Sequence, residues 1–330
     1  MPNKKKRPHR RPNLAPARKT TLASQWMRYG GYSFLVAALL LVSLFLFLRP
    51  RGPRYGEPWK EFSGDKAFRH VQSLVALGPR PPESEASKKA RAYIREQLEA
   101  TGWQVIDQPF AAQTPRGTTQ FVNVIARRPD QPANQKLFFV GSHYDTKTFD
   151  SIRFVGANDG GSSSGALLEL GRVLDQHPQL AARIELIFFD GEEAYQRFSR
   201  TDGLYGSRFF AEKARKAKRV PFYEGGIVWD MIGDRDLTIT LPPDSPAKLA
   251  QGIFAAADAL QVREHFTYLN DDILDDHTPF NEVGIPTIDL IDFDYPPWHT
   301  AGDTMDKLSA ESLQIVGTVT LYFLAERAFQ

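Results

Sequence analysis

The sequence predicts an α/β protein, a mixed central β-sheet sandwiched by helices, preceded by a single N-terminal transmembrane helix. Three observations carry that expectation. From Lys136 onward, short apolar runs alternate with helical patterns. An uncharged apolar run occupies Tyr32–Leu48. With 330 residues and 42% hydrophobic side chains, the chain is long and apolar enough for one large core.

The head of the chain is strongly basic. Nine of the 41 Lys/Arg fall in residues 1–31 with no acid among them, leaving 32 basic against 39 acidic residues in the remainder. A mildly acidic globular part lacks the electrostatic footprint of a nucleic-acid binder, so no nucleic-acid partner is expected. The basic residues read instead as a flank that keeps the N-terminus cytoplasmic, and the apolar run after them suffices to cross a bilayer. That run is long for a signal peptide, and Arg49-Pro50-Arg51 is a poor cleavage site, which favours an uncleaved anchor. The expected organisation is a disordered cytoplasmic head over 1–29, an anchor over 30–48, a linker over 49–60 and a folded domain over 61–330. The domain would then lie outside the cytoplasm: periplasmic or extracellular, or lumenal in a Golgi membrane. With no cysteine, neither a disulfide framework nor a thiolate site is available.

Within the domain, Phe68, Val71, Leu74, Val75 and Leu77 recur at helical spacing after Gly64, and Gly78-Pro79-Arg80-Pro81-Pro82 stops that helix. A second helix is expected from Glu83 to Thr101, with Gly102 as its stop. Strands are expected at Trp103–Phe110 and Thr119–Ala126, joined by a turn at Pro115-Arg116-Gly117. The later strands are Leu137–Val140, Ile184–Phe189, Gly226–Asp230 and Thr287–Ile291. Helices are expected at Ser162–Leu174, Ser207–Lys216, Lys248–Leu260 and Glu311–Phe329. No solenoid-like repeat is visible.

The chemistry gathers just past the apolar strands. His143 and Asp145 follow the run ending at Val140, and Asp159 sits in the glycine-rich Gly156–Gly161. Glu192-Glu193 follows Phe189, Asp230 ends its own strand, and Trp298-His299 follows the last strand. In open α/β sheets, ligands bind beyond the strands' carboxyl ends. Alone, each of these residues is a turn former or a hydrogen-bonded polar group. Together, carboxylates and imidazoles without thiolate are the ligand set of a catalytic zinc site with an open position.

His143-x-Asp145, Gly156-Ala157-x-Asp159-x-x-Ser162, Glu192-Glu193, Asp230 and His299 in this order resemble the zinc aminopeptidase superfamily. The closer likeness is to its animal-type glutaminyl-peptide cyclotransferase (glutaminyl cyclase) branch. It rests on His143-Tyr144-Asp145-Thr146-Lys147, Phe154-Val155-Gly156-Ala157 and Phe188-Phe189-Asp190-Gly191-Glu192-Glu193-Ala194. After the ten-residue insert between Glu193 and Leu204 come Leu204-Tyr205-Gly206-Ser207-Arg208, then Asp275-Asp276-His277-x-Pro279-Phe280 and Trp298-His299-Thr300. The resemblance implies zinc on Asp159, Glu193 and His299, with Glu192 as general acid/base and Asp230 assisting it. His143 and Asp145 would support the site, Asp275 and His277 would line or brace it, and Trp298 would wall the substrate pocket. One zinc ion is implied for a cyclase, and two, with Asp159 bridging, for an aminopeptidase.

This chain also departs from the branch. Phe198 stands where the cyclases usually place Trp, and Leu274 where they place Gln, both in the pocket. Asp292–Pro297 differs from the usual turn before Trp-His, and Ser142 and Ser164 occupy the places of a Cys pair. The implied activity is conversion of N-terminal Gln to pyroglutamate with loss of ammonia, the partners being peptide or protein N-termini. The alternatives are a zinc aminopeptidase and a non-catalytic ectodomain. Oligomeric state is left open.

Overall fold

In the computed structural model, which describes residues 55–129, 131–132 and 134–330, the chain's most apolar runs form the centre of an eight-stranded sheet. Its strands are β1 (Gln104–Thr114), β2 (Gly117–Arg127), β3 (Leu137–His143), β4 (Ile184–Phe189), β5 (Tyr223–Asp230), β6 (Ile239–Leu241), β7 (Phe266–Tyr268) and β8 (Thr287–Ile291). They lie in the order β1-β2-β4-β3-β5-β8-β6-β7. The four central strands β4, β3, β5 and β8 run parallel, so their carboxyl ends open along one edge. β3, β4 and β8 are buried at every position, as strands covered on both faces must be.

Side chains alternate between the two faces with the period of two that a strand imposes. Phe138, Val140, Leu186, Phe188, Ile227 and Trp229 join the larger core cluster, whereas Leu137, Phe139, Ile187, Phe189 and Val228 join a second. The larger face is covered by α1 (Gly64–Ala76), α2 (Glu85–Glu99) and α3 (Ser163–Asp175). Two further helices complete that layer, α5 (Ala247–Ala259) and α7 (Ala310–Glu326). The other is covered by α4 (Tyr205–Lys216) and α6 (Thr278–Val283). Each such buried Phe or Leu contributes about 1.5–3 kcal/mol. Serine caps begin three of these helices: Ser63, Ser84 and Ser309 each accept a backbone N–H three residues ahead.

The expected mixed sheet between helical layers is therefore what the chain forms, with local differences. β1 continues past Phe110 to Thr114, because the hairpin stays in register from Gln104–Arg127 to Thr114–Gly117. β6 and β7, three residues each at the far edge, are too short to show a pattern in sequence. α7 is buried on most sides rather than along one stripe, since α1 and α5 flank it. Part of the expected linker also packs onto the domain. Tyr55 and Trp59 lie in the larger core cluster, the latter 4.7 Å from the ring of Tyr322. The basic head, the expected anchor at 30–48 and the first part of the linker lie outside the described residues. No helix among the described residues is long and apolar enough to cross a membrane.

α3 approaches α1 through Gly165. A Cβ there would meet Val71 Cγ2 at 2.5 Å and Val71 N at 2.7 Å, and the second of these is backbone that cannot rotate away. Gly165→Ala is accordingly expected to lower stability by about 1–3 kcal/mol, the usual penalty of overpacking. Denaturant unfolding of the variant beside the parent protein measures it, and an unchanged midpoint would refute the contact.

Candidate active site

The four parallel strands deliver the acidic and imidazole residues to one cleft. His143 is the last residue of β3 and Asp230 the last of β5. Glu192-Glu193 lies just beyond β4, and His299 on the segment after β8. Asp159 comes from the turn Ala157–Ser162 that leads into α3, whose backbone leaves helical values at Asp159 and Gly160. Gly160 has φ +77, and a Cβ there would stand 2.8 Å from the Asp145 carbonyl oxygen and 2.9 Å from His143 Cε1. Only glycine lets this turn approach so closely.

The side chains form two triads that share one carboxylate. His299 Nε2 lies 3.2 Å from Glu193 Oε2 and 3.4 Å from Asp159 Oδ2. His143 Nε2 lies 3.3 Å from Asp159 Oδ1 and 3.1 Å from Asp230 Oδ1. Asp159 thus sends one oxygen to each triad. His299 holds φ +55, a strained value for a residue with a Cβ. Its ring is fixed by stacking on Trp298 at 4.1 Å and by the edges of Phe149 and Phe154.

A second layer of groups holds the ligand-bearing backbone. Asp145 accepts the Glu192 N–H at 3.1 Å and lies 3.5 Å from that of Glu193. Asp303 accepts from Asn158 N at 2.8 Å, from Asp159 N at 3.2 Å and from the Tyr295 hydroxyl at 2.8 Å. Arg80, wholly buried, donates to the carbonyls of Gly78, Tyr144, Val155 and Gly156, and its own N–H donates to Thr146 Oγ1. Lys147 Nζ reaches Glu193 Oε2 at 3.3 Å and the Ala194 carbonyl at 2.6 Å.

Electrostatics divide the adjacent glutamates from their neighbours. Burial pushes Glu192 well above the usual glutamate range, and Asp275, Glu193 and Asp276 push it further against the pull of His143. Burial and Asp159 raise Glu193, which His299 and Lys147 offset in part. Burial alone would lower His299, yet Asp159 and Glu193 lift it to about 9. His143 is raised in the same way, by Asp145, Asp159 and Asp230. Among the described residues no hydrogen bond or ion pair engages the Glu192 carboxylate, and it lines a cavity of about 250 Å³.

These donors fit a metal ion. Ligands about 2.0–2.1 Å from a tetrahedral zinc stand roughly 3.3–3.4 Å apart, close to the 3.2 and 3.4 Å that separate His299 Nε2 from Glu193 Oε2 and Asp159 Oδ2. Among the described residues Asp159 Oδ2 is buried without a hydrogen bond, with His299 Nε2 standing 3.4 Å away. Carboxylate and imidazole oxygen and nitrogen donors suit a divalent transition metal.

Residues 123–324 match the family model described as peptidase family M28. The chain belongs to that family. Within M28 it falls in the glutaminyl-peptide cyclotransferase branch. It is 30% identical over 285 residues to a glutaminyl-peptide cyclotransferase of Boiga irregularis, covering 75% of this chain and 77% of the relative. Among solved structures it is similar to a glutaminyl cyclase of an Acidobacteriales bacterium, with 34% identity and a TM-score of 0.74 over 80% of this chain and 94% of that one. It is also similar to a Zn-dependent exopeptidase from Parabacteroides distasonis, with 28% identity and a TM-score of 0.73 over 81% and 99% of the two chains.

The M28 domain brings every singled-out residue to or beneath the cleft. Glu192, Asp230, Asp275, Phe198 and Trp298 line the cavity together with Asp159 and His299. Glu193 and His143 complete the triads, and Asp145 braces the glutamate backbone. His277 does not line the cavity; it lies below, between Asp289 at 3.4 Å and Asp244 at 3.2 Å. The insert between Glu193 and Leu204 contains no helix or strand and is organised by Asp202. That carboxylate accepts from the backbone of Tyr195, Gln196 and Arg197, and so fixes Phe198 at the rim. Phe198 and Leu274, the pocket departures, both line the cavity. Ser142 and Ser164, at the expected Cys-pair places, lie Oγ to Oγ at 3.2 Å.

Sequence reasoning missed Arg80, Asp202, Asp289 and Asp303 as parts of the M28 site. Asp289 carries a signal, an acid inside the wholly buried strand β8. Arg80 was absorbed into a Pro-rich helix stop, and Asp202 and Asp303 resemble any loop aspartate. Removing the Asp303 carboxylate frees the peptide that carries Asp159. Asp303→Ala is therefore expected to weaken the binding of a divalent metal at this site by about 10–100-fold, as loss of outer-layer partners does. Competition with a chelator measures the affinity; an unaltered value would show that the Asp159 turn holds itself.

Proposed function

We propose that the chain is a zinc-dependent glutaminyl-peptide cyclotransferase that converts an N-terminal glutamine to pyroglutamate and releases ammonia. The observation that carries it is the Glu192 carboxylate, without a partner among the described residues, raised by burial and facing a cavity of about 250 Å³ beside the Asp159–Glu193–His299 triad. The likeness to glutaminyl cyclases from a snake and a bacterium supports the same reading.

Zinc held by Asp159, Glu193 and His299 would polarise the side-chain amide carbonyl and offset the negative charge that develops on its oxygen. The chain's own residues do the rest. The cavity, walled by Phe198, Ile291 and Trp298, holds the glutamine side chain folded back towards its own α-amine, so the attack is intramolecular. The amine nitrogen bonds to the amide carbon, and the bond from that carbon to the amide nitrogen breaks. Glu192 takes the proton from the attacking amine and gives it to the departing ammonia, which suits a carboxyl raised towards neutrality. Asp230 and Asp275, both raised by burial, line the same cavity, and Asp275 helps to push Glu192 upward.

A second reading is a zinc aminopeptidase. The second triad of His143, Asp159 and Asp230 and the likeness to a Zn-dependent exopeptidase favour it. His143, Asp159 and Asp230 would then hold a second metal, which would supply further Lewis acidity for hydrolysis, and metal analysis near two zinc ions per chain would support it. We also propose that residues 30–48 anchor the domain on the non-cytoplasmic side of a membrane. Protease added to intact cells or vesicles should reach the domain only from that side, and release by a salt wash would exclude the anchor.

Glu192→Gln is expected to lower turnover of a Gln-initiated peptide by at least about 10³-fold while zinc content stays near that of the parent. In the parent, kcat should fall as pH drops through a limb above the ordinary glutamate value of 4.5, since Glu192 acts only when ionised. Mass analysis that finds ammonia loss from an uncut peptide supports the cyclase. A free amino acid with no pyroglutamyl product refutes it, and loss of zinc in the variant reverses the roles of Glu192 and Glu193.

A further inference from the structure

The cavity that Glu192 faces has no lysine or arginine among its described lining residues. Two of its carboxylates, Asp271 and Asp272, are exposed and therefore belong to its mouth, while Asp159, Asp230 and Asp275 are buried deeper. Among the described residues neither Asp271 nor Asp272 takes part in a hydrogen bond or ion pair. The same mouth exposes apolar surface, with Leu274 43% and Trp298 37% accessible.

The cavity, at about 250 Å³, lies below the roughly 300–1,000 Å³ of pockets that enclose a drug-sized ligand. One residue fills it, and the next residue of a bound peptide lies against the rim. We infer that Asp271 and Asp272 make the site selective for peptides bearing lysine or arginine immediately after the N-terminal residue. The inference deepens the cyclotransferase reading and rests on it. A long cationic side chain matches this rim in both its parts. Its alkyl stem covers Leu274 and the Trp298 face, and its charged head remains in water beside the aspartate pair. An acidic residue at the same place meets only like charge, and such juxtaposition is an effective means of rejecting a partner.

The test compares the amides of Gln-Lys-Ala, Gln-Ala-Ala and Gln-Glu-Ala on the zinc-loaded full chain, with products read by mass. At low ionic strength kcat/KM is expected to fall in that order, by about tenfold from the lysine to the glutamate peptide, mainly through KM. High salt should compress the ratio, because the rim is exposed and screened. In the Asp271→Asn/Asp272→Asn double variant the ratio should fall to within about twofold of one. Equal kcat/KM for the three peptides, or a ratio untouched by the double substitution, overturns the inference and leaves cyclisation standing. Conversion of none of them removes the cyclotransferase reading and this inference with it.

Discussion

Repulsion among carboxylates in a cleft of low dielectric is the constraint on which the rest of this structure depends. Asp145, Asp159, Asp230, Glu192, Glu193, Asp275 and Asp303 are all buried at the carboxyl edge of the sheet. Three kinds of positive group make this tolerable. Imidazoles stand between acids, His143 between Asp159 and Asp230, and His299 between Asp159 and Glu193. Peptide N–H groups point into Asp145 and Asp303. Arg80 supplies a charge that no water reaches; burial lowers its pKa to about 10, while Asp145, Asp303 and Asp159 support the charged form. Because that guanidinium also bonds the Val155 and Gly156 carbonyls that lead into the Asp159 turn, charge balance and loop position are tied together.

The sheet and the core of the site were legible because both follow from chain periodicity and strand direction. Apolar runs such as Leu137–Val140 and Ile184–Phe189 could only be central strands, and parallel strands put the residues after them on a common edge. His143, Asp159, Glu192, Glu193, Asp230 and His299 were found by that logic and by family likeness. What stayed hidden were residues whose role lies in contacts distant along the chain. Asp303 meets the backbone of Asn158 across 145 residues of sequence, and Arg80 meets Gly156 across 76. No local pattern announces such a partner. The three-residue strands β6 and β7 were equally silent, since three residues cannot display a period.

The glutamates owe their division of labour to the turn that carries them. Asp145 accepts the Glu192 N–H and draws that of Glu193 towards it, so the two side chains leave the same braced peptide in different directions. One enters the triad with His299, and the other meets no partner among the described residues and faces the cavity. The insert that follows is tied by Asp202, which holds Phe198 where it both lines the cavity and covers Lys147 at 5.5 Å. Substrate shape and metal environment are thereby joined through a single loop.

The Ser142–Ser164 contact joins the end of β3 to the start of α3 by hydroxyls, with Ser142 Oγ also donating to Ser163 Oγ and Ser164 Oγ to the His143 carbonyl. A hydroxyl join forms and reopens with the backbone, needs no electron acceptor, and cannot be trapped in a wrong pairing. With no cysteine in the chain, no disulfide takes part in assembling this site, and its closure does not turn on the thiol–disulfide balance of the compartment in which the chain folds.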